Sequence, residues 1–498
     1  MLKSSEEAPV QRQQDRVCLV LVPIVVLVAL ILMIETFALL GPLGDQLVGL
    51  RQMTWRYRLQ TLSPDEVVPD QELLHLSLLH EVCVDDAAVG VPWQFGSPGN
   101  QLVGATANNS HVLMRQNDSD LLAKLRHCPD VDVFLPQASH TFGYCQDAAA
   151  YVKYLESRLL PDWVLDIELY DPDLGRQVDY FSLCPKTPIL FLDHHWSDVA
   201  MSSRWPIGKP VYMMPNIEIM ELTAMHFLRA DAVLCKTQVC YDRVTKWYEQ
   251  EGTPRNTSVF YTKHTSSSPS VLVRKRLGEY AVASKDYTDV KFSHMAGVSS
   301  SKGTREIMDC WLHTAELPPL DVYIDRKPFY RLFSPSFKSK IAGSLSPVNI
   351  QLGTHEHLMF SKVIAEALFV LSPSYGEGYG HTLNQARSSG AVIVTIDLPP
   401  MNELVIGNET GVLIPTNRIQ HPMVLMGGNY RGEKGLEDVE GLVAQFEASD
   451  VCRAIQRLMQ STTPGERAEM GLNASRQYHA DTKYFAKEMQ KLRAFAKP

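Results

Sequence analysis

The stretch Pro373-Ser-Tyr-Gly-Glu-Gly-Tyr-Gly-His-Thr-Leu-Asn-Gln-Ala386 decides the fold, because it joins two segments of different character. The apolar residues 367–372 before it predict a buried strand, and residues 381–388 after it have a helical composition. A strand, a glycine-rich loop and a helix place backbone N–H groups and a helix N-terminus against a phosphate. The loop also carries a carboxylate, Glu377, which a bare phosphate site does not need. The pattern therefore indicates a site for a diphosphate joined to a sugar.

Two common phosphate-binding motifs do not fit this loop. The dinucleotide fingerprint is G-x-G-x-x-G, whereas the glycines here are Gly376, Gly378 and Gly380. The Walker pattern, which ends in Gly-Lys-Ser/Thr, is also absent from the loop. The glycine spacing therefore argues against a nicotinamide-dependent oxidoreductase.

The loop resembles the sugar-nucleotide site of retaining glycosyltransferases of the GT-B fold, glycosyltransferase family 4 in particular. That family carries Pro-Ser-x-x-Glu-Gly-x-Gly, with a second Glu eight residues after the first. Glu377 matches the first Glu, and Gln385 stands in place of the second. The resemblance implies transfer of a sugar from a nucleotide-sugar donor to a glycan, glycoprotein or glycolipid acceptor, with retention and without a cofactor or metal ion. A catalytically inactive binding or regulatory subunit is the alternative, and Gln385 is its support.

The resemblance extends over residues 120–498 and implies roles for further residues of the second half. The stretch 294–304 looks like the first strand and loop of the family's C-terminal domain, in which Lys302 would bind the donor diphosphate. Glu377 would contact the donor sugar as a catalytic residue, and Gln385 would hold the ribose hydroxyls. A Gln side chain can donate to and accept from hydroxyls, but it loses about 1 kcal/mol of charge-assisted bonding. The implied donor-binding residues are Gly297, Lys302, Gly303, Gly376, Gly378, Tyr379, Gly380, His381, Thr382 and Gln385.

In the first half, the resemblance points to the ends of strands. The apolar run after Pro188 ends in His194, which matches a family histidine near the donor sugar and is the second predicted catalytic residue. Its neighbour His195 is not excluded. The stretches 211–218 and 231–237 also resemble family segments and are predicted to be structural, with Asn216 and Lys236 at strand ends that face the cleft. Gly143 is a candidate for framing the acceptor or the nucleotide.

The pattern along the chain predicts an α/β fold of two Rossmann-like domains facing across a cleft, the GT-B architecture. Strands that alternate with helices indicate βαβ units and parallel sheets. We predict an N-terminal acceptor domain at 120–269, a donor domain at 270–463 and closing helices at 464–498, with a Thr/Ser/Pro linker at 265–269. The predicted helices of the acceptor domain are 121–125 and 145–159. The predicted strands are 131–135, 162–167, 189–192, 232–235, 292–296, 320–324, 348–352, 369–371, 391–396 and 412–414.

The N-terminus carries an uncharged run from Val17 to Ile34, with apolar character continuing to Leu40. A helix of this length spans a bilayer core of about 30 Å. We therefore predict a short tail at 1–16, one transmembrane signal anchor at 17–40 and a stem or accessory region at 41–119. A cleaved signal peptide and a buried core helix are the alternatives, the first weakened by the length of the run and the missing A-x-A-like site.

The orientation of this anchor rests on weaker signals. Basic residues are nearly balanced across it, with Lys3, Arg12 and Arg16 before it and Arg51, Arg56 and Arg58 after it. Glycosylation sequons at Asn108, Asn117, Asn256, Asn408 and Asn473 favour the lumen. The prediction is a single-pass membrane protein of the Golgi or endoplasmic reticulum with a luminal catalytic region; a cytosolic region is the alternative.

Composition excludes some partners. The net charge of −9 argues against a nucleic-acid partner, and the 45% hydrophobic content is that of a globular protein. The nine Cys residues show no C-x-x-C pair, so a zinc site is not expected, and their pairing is not readable. The Asp-x-Asp pairs at 130–132 and 171–173 carry little weight in a chain with 56 acidic residues.

Overall fold

The structure is a computed structural model, and it describes residues 62–63, 65–98, 109–195, 198–333, 340–341 and 343–497. All of them lie in one compact unit, Thr61–Pro498. Within it, two parallel sheets form the centres of what we call the first and second domains.

The first domain contains nine strands and seven helices among the described residues. The strands are Val91–Pro92 (β1), Asp132–Phe134 (β2), Arg158–Leu160 (β3), Glu168–Asp171 (β4), Arg176–Asp179 (β5), Ile189–Leu192 (β6), Val211–Met214 (β7), Ala232–Cys235 (β8) and Ser258–Tyr261 (β9). The helices are Asp70–Asp85 (α1), Leu121–Arg126 (α2), Phe142–Tyr154 (α3), Asp162–Asp166 (α4), Tyr180–Leu183 (α5), Ala224–Arg229 (α6) and Gln238–Glu251 (α7).

Seven of these strands form one sheet in the order β1-β3-β2-β6-β7-β8-β9, and β4 pairs with β5 as a separate hairpin. All pairs in the large sheet are parallel except β1 with β3. The central strands β6, β7 and β8 are buried along their whole length. Their uninterrupted apolar sequences fit this position, since a parallel sheet is covered on both faces.

The second domain contains eight strands and eight helices among the described residues. The strands are Phe292–Gly297 (β10), Leu320–Ile324 (β11), Val348–Leu352 (β12), Phe369–Ser372 (β13), Val392–Ile396 (β14), Gly411–Ile414 (β15), Asn417–Ile419 (β16) and Val443–Gln445 (β17). The helices are Pro269–Leu277 (α8), Thr304–His313 (α9), Arg326–Leu332 (α10), His357–Glu366 (α11), His381–Ser388 (α12), Met401–Leu404 (α13), Ala448–Ser461 (α14) and Pro464–Ala496 (α15).

Six strands of this domain form an all-parallel sheet in the order β12-β11-β10-β13-β14-β15. All six lie at or within a residue or so of the predicted segments. The α/β fold with parallel sheets is therefore confirmed.

The predicted strand at 162–167 is wrong, because these residues begin helix α4. Pro161 precedes the helix and Asp162 lies in its first turn, both favourable at a helix N-terminus. The strand of this region is β3, which the sequence analysis placed in a helix over 145–159; that helix ends at Tyr154. The strand was not predicted because Arg158, a charged residue, interrupts its apolar pattern. In the structure this arginine is buried, and its guanidinium donates to Asp132 at 2.8 Å.

Helix α1 lies within the region predicted as a stem or accessory segment. Its Leu76, Leu79 and Cys83 belong to the same buried cluster as residues of α3. A disulfide joins Cys83 to Cys145, and three others join Cys128 to Cys184, Cys235 to Cys240 and Cys310 to Cys452.

No described helix is long and apolar enough to cross a lipid bilayer. This finding contradicts the predicted single-pass membrane protein of the Golgi or endoplasmic reticulum, and we do not retain that localisation. The segment 17–40, on which the prediction rested, lies outside the described residues.

Among the described residues, three stretches of chain run between the two domains or lie across them. The first is the Ser/Thr run at 262–268, whose residues Thr265 to Ser268 are buried and hydrogen-bonded. The second is α15, which begins with a Thr463–Glu466 capping box beside the second core and ends with Phe485 and Leu492 in the first.

The third connection is residues 420–442, which we call the strap. It leaves β16 of the second domain and lies on α7 of the first. Trp247 donates to the Lys434 carbonyl at 2.7 Å, Lys246 donates to the Asp438 carbonyl at 2.7 Å, and Arg243 contacts the Met426 carbonyl.

Candidate functional site

A cavity of about 430 Å³ lies between the carboxyl ends of the two sheets. The second domain contributes the loops after β10, β11, β12 and β13, and the first domain contributes the start of α3, the segment after β7 and the end of β8. Ligands of open α/β sheets bind at this edge. The predicted site residues that line the cavity are Gly143, Gly297, Lys302, Glu377, Gly378, Tyr379, Gly380, His381 and Thr382. Asn216 and Lys236, which were predicted only to face the cleft from strand ends, line it as well.

Lys302 and Glu377 meet on the second-domain wall. The Lys302 ammonium contacts Glu377 Oε1 directly, and the Ser374 hydroxyl donates to the same oxygen at 2.6 Å. Both side chains are mostly buried, with 17% of Lys302 and 13% of Glu377 exposed. The structure thus joins the predicted diphosphate-binding cation and the predicted sugar-binding carboxylate, which lie far apart in sequence.

Two glycines shape the backbone on this wall. Gly303 has a φ of 65°, and a Cβ there would lie 2.2 Å from the carbonyl oxygen of Pro373, so the loop before α9 touches the loop after β13. Gly380 has a φ of 97° and is the N-cap residue of α12. Both positions favour glycine. As a result the N-termini of α9 and α12 both begin beside the cavity, where their free N–H groups and dipoles attract anions.

Asp147 of α3 is the centre of a buried network on the first-domain wall. Lys236 Nζ donates to both of its oxygens at 3.0 Å, and His381 Nε2 lies 3.0 Å from Oδ1. His264 Nε2 is 2.9 Å from the same oxygen. Burial acts to raise the pKa of Asp147, but the nearby charges of Lys236 and His381 outweigh it and hold that pKa well below its usual range.

The same network brings His381, a second-domain residue, into contact with the first domain. Its Nδ1 lies 2.8 Å from the Ser266 hydroxyl in the Ser/Thr run, and burial lowers its pKa. Asp147, His264 and His381 present ligand atoms within 4.8 Å of one another, a geometry that a metal ion could use. The Lys236 ammonium already bonds both Asp147 oxygens, so we interpret the cluster as a charge-paired network.

Asn216 and Glu218 follow β7 and also line the cavity. Asn216 Nδ2 donates to Asp193 Oδ2 at 2.6 Å, and the Tyr144 hydroxyl donates to the same oxygen at 2.7 Å. Burial raises the pKa of Glu218 to about 8, and the nearby Asp193 adds to the effect. Asn216 therefore has a fixed orientation, and Glu218 holds its proton to a higher pH than an ordinary carboxyl does.

The sequence analysis did not assign site roles to Asp147, Asp193 and Glu218. Asp147 precedes the apolar run 148–150 in a helix, and a charged residue at the start of a buried alanine run was the available signal. Asp193 directly precedes His194 and His195, which the sequence analysis considered in its place. Glu218 lies in the stretch 211–218, which was predicted to be structural.

Several predicted residues are not among those that line the cavity. His194 lies at the end of β6, with its ring centroid 4.2 Å from that of His195, and His195 Nδ1 is 3.1 Å from the Ser139 hydroxyl. Gln385 is fully buried, and its Nε2 donates to the Ser267 hydroxyl at 3.0 Å. The predicted roles of His194 in catalysis and of Gln385 in ribose binding remain predictions.

The structure also shows the surroundings of three other predicted glycines, Gly143, Gly303 and Gly376. Gly143 lines the cavity as the second residue of α3, with no heavy atom within 4 Å of an added Cβ. Gly376 and Gly303 support the loops without being among the lining residues. The acidic pairs at 130–132 and 171–173 lie elsewhere, since Asp132 bonds Arg158, and Asp171 and Asp173 bond Arg126.

Comparison with known proteins gives distant similarities only. No family model and no curated protein sequence matches the chain. Among solved structures, it is similar to HepE of Anabaena in complex with UDP, at 14% identity over 73% of this chain and 100% of that chain, with a TM-score of 0.44. It is also similar to sucrose-phosphate synthase from Thermosynechococcus elongatus, at 14% identity over 68% and 82% of the two chains, with a TM-score of 0.42. A third is trehalose 6-phosphate synthase from Burkholderia multivorans, at 12% identity over 63% and 72%, with a TM-score of 0.42.

Proposed function

We propose that this protein is a glycosyltransferase that moves a sugar from a nucleoside diphosphate donor to a hydroxyl acceptor. The observation that supports this most is the contact of Lys302 with Glu377 on a cavity wall where α9 and α12 both begin. A cation and two helix N-termini suit a diphosphate, and a carboxylate beside them suits sugar hydroxyls. The acceptor would be a glycan, glycoprotein or glycolipid, as the sequence resemblance implies.

In this proposal the diphosphate is the leaving group, and the protein stabilises its developing charge. Lys302 would exchange its contact with Glu377 for a phosphate oxygen, leaving Glu377 to accept hydrogen bonds from the sugar. The acceptor would attack on the face that the diphosphate leaves, so the sugar keeps its anomeric configuration, and the diphosphate would help to deprotonate the acceptor. Orientation and electrostatic stabilisation supply the catalysis, and the proposal needs no metal ion and no protein nucleophile.

Calorimetric titration of the full chain with UDP and with GDP tests the donor site. We expect Lys302→Ala to weaken binding of the diphosphate that the wild type prefers by about 1–3 kcal/mol, as for a lost charge-assisted bond. The control is Lys275→Ala, which removes an exposed lysine of α8. Equal affinities in both variants would contradict the role of Lys302, and binding of neither diphosphate to the wild type would contradict the donor site.

Release of sugar from UDP-glucose or GDP-mannose separates an enzyme from an inactive subunit. Glu377→Ala should abolish this donor hydrolysis while leaving the fold intact, because Glu377 lies in a cleft rather than in a hydrophobic core. Binding of the diphosphate without any donor hydrolysis by the wild type would favour the inactive binding or regulatory subunit. Full hydrolysis by Glu377→Ala would remove Glu377 from the sugar site.

A further inference from the structure

Two neighbouring residues of the cavity wall each have a buried oxygen without a hydrogen-bond partner among the described residues. These oxygens are Oδ1 of Asn216 and Oε2 of Glu218. Most buried polar groups in proteins are paired, because leaving one unpaired is destabilising. Two such acceptors, two residues apart on a wall of the candidate site, therefore need a physical explanation.

The Asn216 side chain is not free to turn toward another partner. Its Nδ2 donates to Asp193 Oδ2 at 2.6 Å, and Asp193 is held by the Tyr144 hydroxyl at 2.7 Å. Reversing the amide would place Oδ1 against the Asp193 carboxylate, which is an acceptor. The orientation of Oδ1 away from Asp193 is therefore set by the protein before any ligand arrives.

Both residues lie against the glycine-rich loop. A Cβ on Gly378 would be 2.2 Å from Asn216 Oδ1 and 2.7 Å from Glu218 Oε1. Gly378 directly follows Glu377, so Asn216 and Glu218 lie beside the loop that carries the carboxylate proposed to contact the sugar. A sugar attached to a diphosphate at Lys302 would then lie near both Glu377 and this pair.

The charges around Glu218 also fit a sugar next to a diphosphate. Burial, with the neighbouring charges of Asp193 and Glu377, raises the pKa of Glu218 to about 8 against the opposing charge of Lys236. A protonated carboxyl offers one O–H donor and an acceptor oxygen, and it does not repel phosphate. A sugar hydroxyl has the complementary pair of a donor and an acceptor.

We propose that Asn216 and Glu218 form a subsite for the hydroxyl groups of the sugar that is transferred. This inference rests on the proposed function and makes it more specific, because it assigns recognition of the sugar to the first domain. A site that hydrogen-bonds a hydroxyl rejects an analogue that lacks it, since its own polar groups are then left unpaired. Asn216 and Glu218 thus select a hydroxyl-bearing sugar, while Lys302 and the helix N-termini hold the diphosphate.

The experiment compares each nucleotide with its sugar conjugate. Affinities for UDP and UDP-glucose, and for GDP and GDP-mannose, are measured by calorimetry before donor hydrolysis is detectable. For each variant, the ratio of the Kd of the diphosphate to the Kd of its sugar conjugate isolates the contribution of the sugar. Glu218→Ala and Asn216→Ala remove one acceptor each, Glu218→Gln keeps the shape of the side chain, and Glu168→Gln on the exposed strand β4 is the control.

We expect the ratio to fall about tenfold in Glu218→Ala and Asn216→Ala, with the affinity for the free diphosphate within twofold of wild type. Glu218→Gln should lower it less, because the amide still donates and accepts, and Glu168→Gln should match wild type. Retained diphosphate binding also shows that the variants are folded. Unchanged ratios in both alanine variants, or equal losses for diphosphate and conjugate, would overturn the subsite without affecting the donor site. Failure of wild type to bind either diphosphate would overturn the donor site and this inference together.

Discussion

Gly378 offers a direct test of how tightly the two walls of the cavity fit. We consider the substitution Gly378→Ala beside Gly376→Ala, two residues earlier in the same loop. Neither glycine is among the described glycines with positive φ, so the backbone accepts alanine at both positions. The surroundings differ, since a Cβ at 376 has its nearest contact, Leu442 O, at 3.7 Å, whereas a Cβ at 378 would lie 2.2 Å from Asn216 Oδ1.

The magnitude follows from these distances. An ordinary Cβ contact begins at 3.4 Å, so the difference from 2.2 Å requires a movement of about 1.2 Å. If Asn216 moves, its 2.6 Å bond to Asp193 stretches beyond hydrogen-bonding range. A hydrogen bond to a charged group contributes about 1.5–3 kcal/mol, so Gly378→Ala should lose that much stability. Gly376→Ala should be neutral or more stable by about 0.4–1 kcal/mol, because alanine restricts the unfolded chain.

The assay is urea denaturation of the two variants and the wild type, with UDP and UDP-glucose affinities measured by calorimetry on the same preparations. Gly378→Ala should also lose about tenfold in affinity for UDP-glucose as the proposed sugar subsite shifts. Stabilities of the two variants within 0.5 kcal/mol of each other would refute the reasoning. A loss of UDP affinity without a loss of stability would show that the loop moves and that Asn216 stays in place, contrary to the expected distortion.

Three further predictions concern other buried positions. Gln385→Leu should cost about 1–2 kcal/mol of stability by removing the bond to Ser267, and it should also weaken UDP binding in calorimetry, because the motif assigns Gln385 to the ribose; unchanged UDP affinity would remove that role. Gly303→Ala should cost about 3 kcal/mol or more in urea denaturation, because φ is 65° and the Cβ would overlap Pro373 O; a cost below 1 kcal/mol would contradict it. Glu218 holds its proton to about pH 8 when folded but releases it near its ordinary pKa of 4.5 when unfolded, so stability should fall as pH rises between these values. Relative to Glu218→Gln, the wild type should lose about 3–4 kcal/mol between pH 5 and pH 8; parallel stability curves would show that the pKa of Glu218 is not raised.

The second domain could be predicted well because its strands are continuous apolar runs between clear loops. Residues 392–396 read Val-Ile-Val-Thr-Ile and are buried throughout in β14. Strand β3 of the first domain, which lies between β1 and β2, was missed by the same rule, since the buried Arg158 among its three residues interrupts the apolar pattern. Buried ion pairs such as Arg158 with Asp132 are made by tertiary contacts that no local window contains.

The residues of the candidate site also differ in how well the sequence predicts them. Glu377, Gly378 and Gly380 were predictable because they belong to one short motif, and the structure places them together on the cavity wall. Asp147 and Glu218 were not, because each acquires its partners from other elements, and burial that changes a pKa is invisible in the sequence. Gln385 is the opposite case. It belongs to the predicted motif, but its side chain bonds Ser267 and it is not among the residues that line the cavity.

The strap has a consequence for how ligands reach the cavity. Proteins that close around a ligand by a hinge need few connections between the moving halves. Here backbone carbonyls of residues 420–442 accept hydrogen bonds from side chains of α7. These residues are far in sequence from the 262–268 run and from most of α15. Wide opening of the cleft would break the hydrogen bonds between the strap and α7, so we expect a nearly fixed slot through which donor and product diffuse. Shortening the strap should then loosen the slot and speed product release.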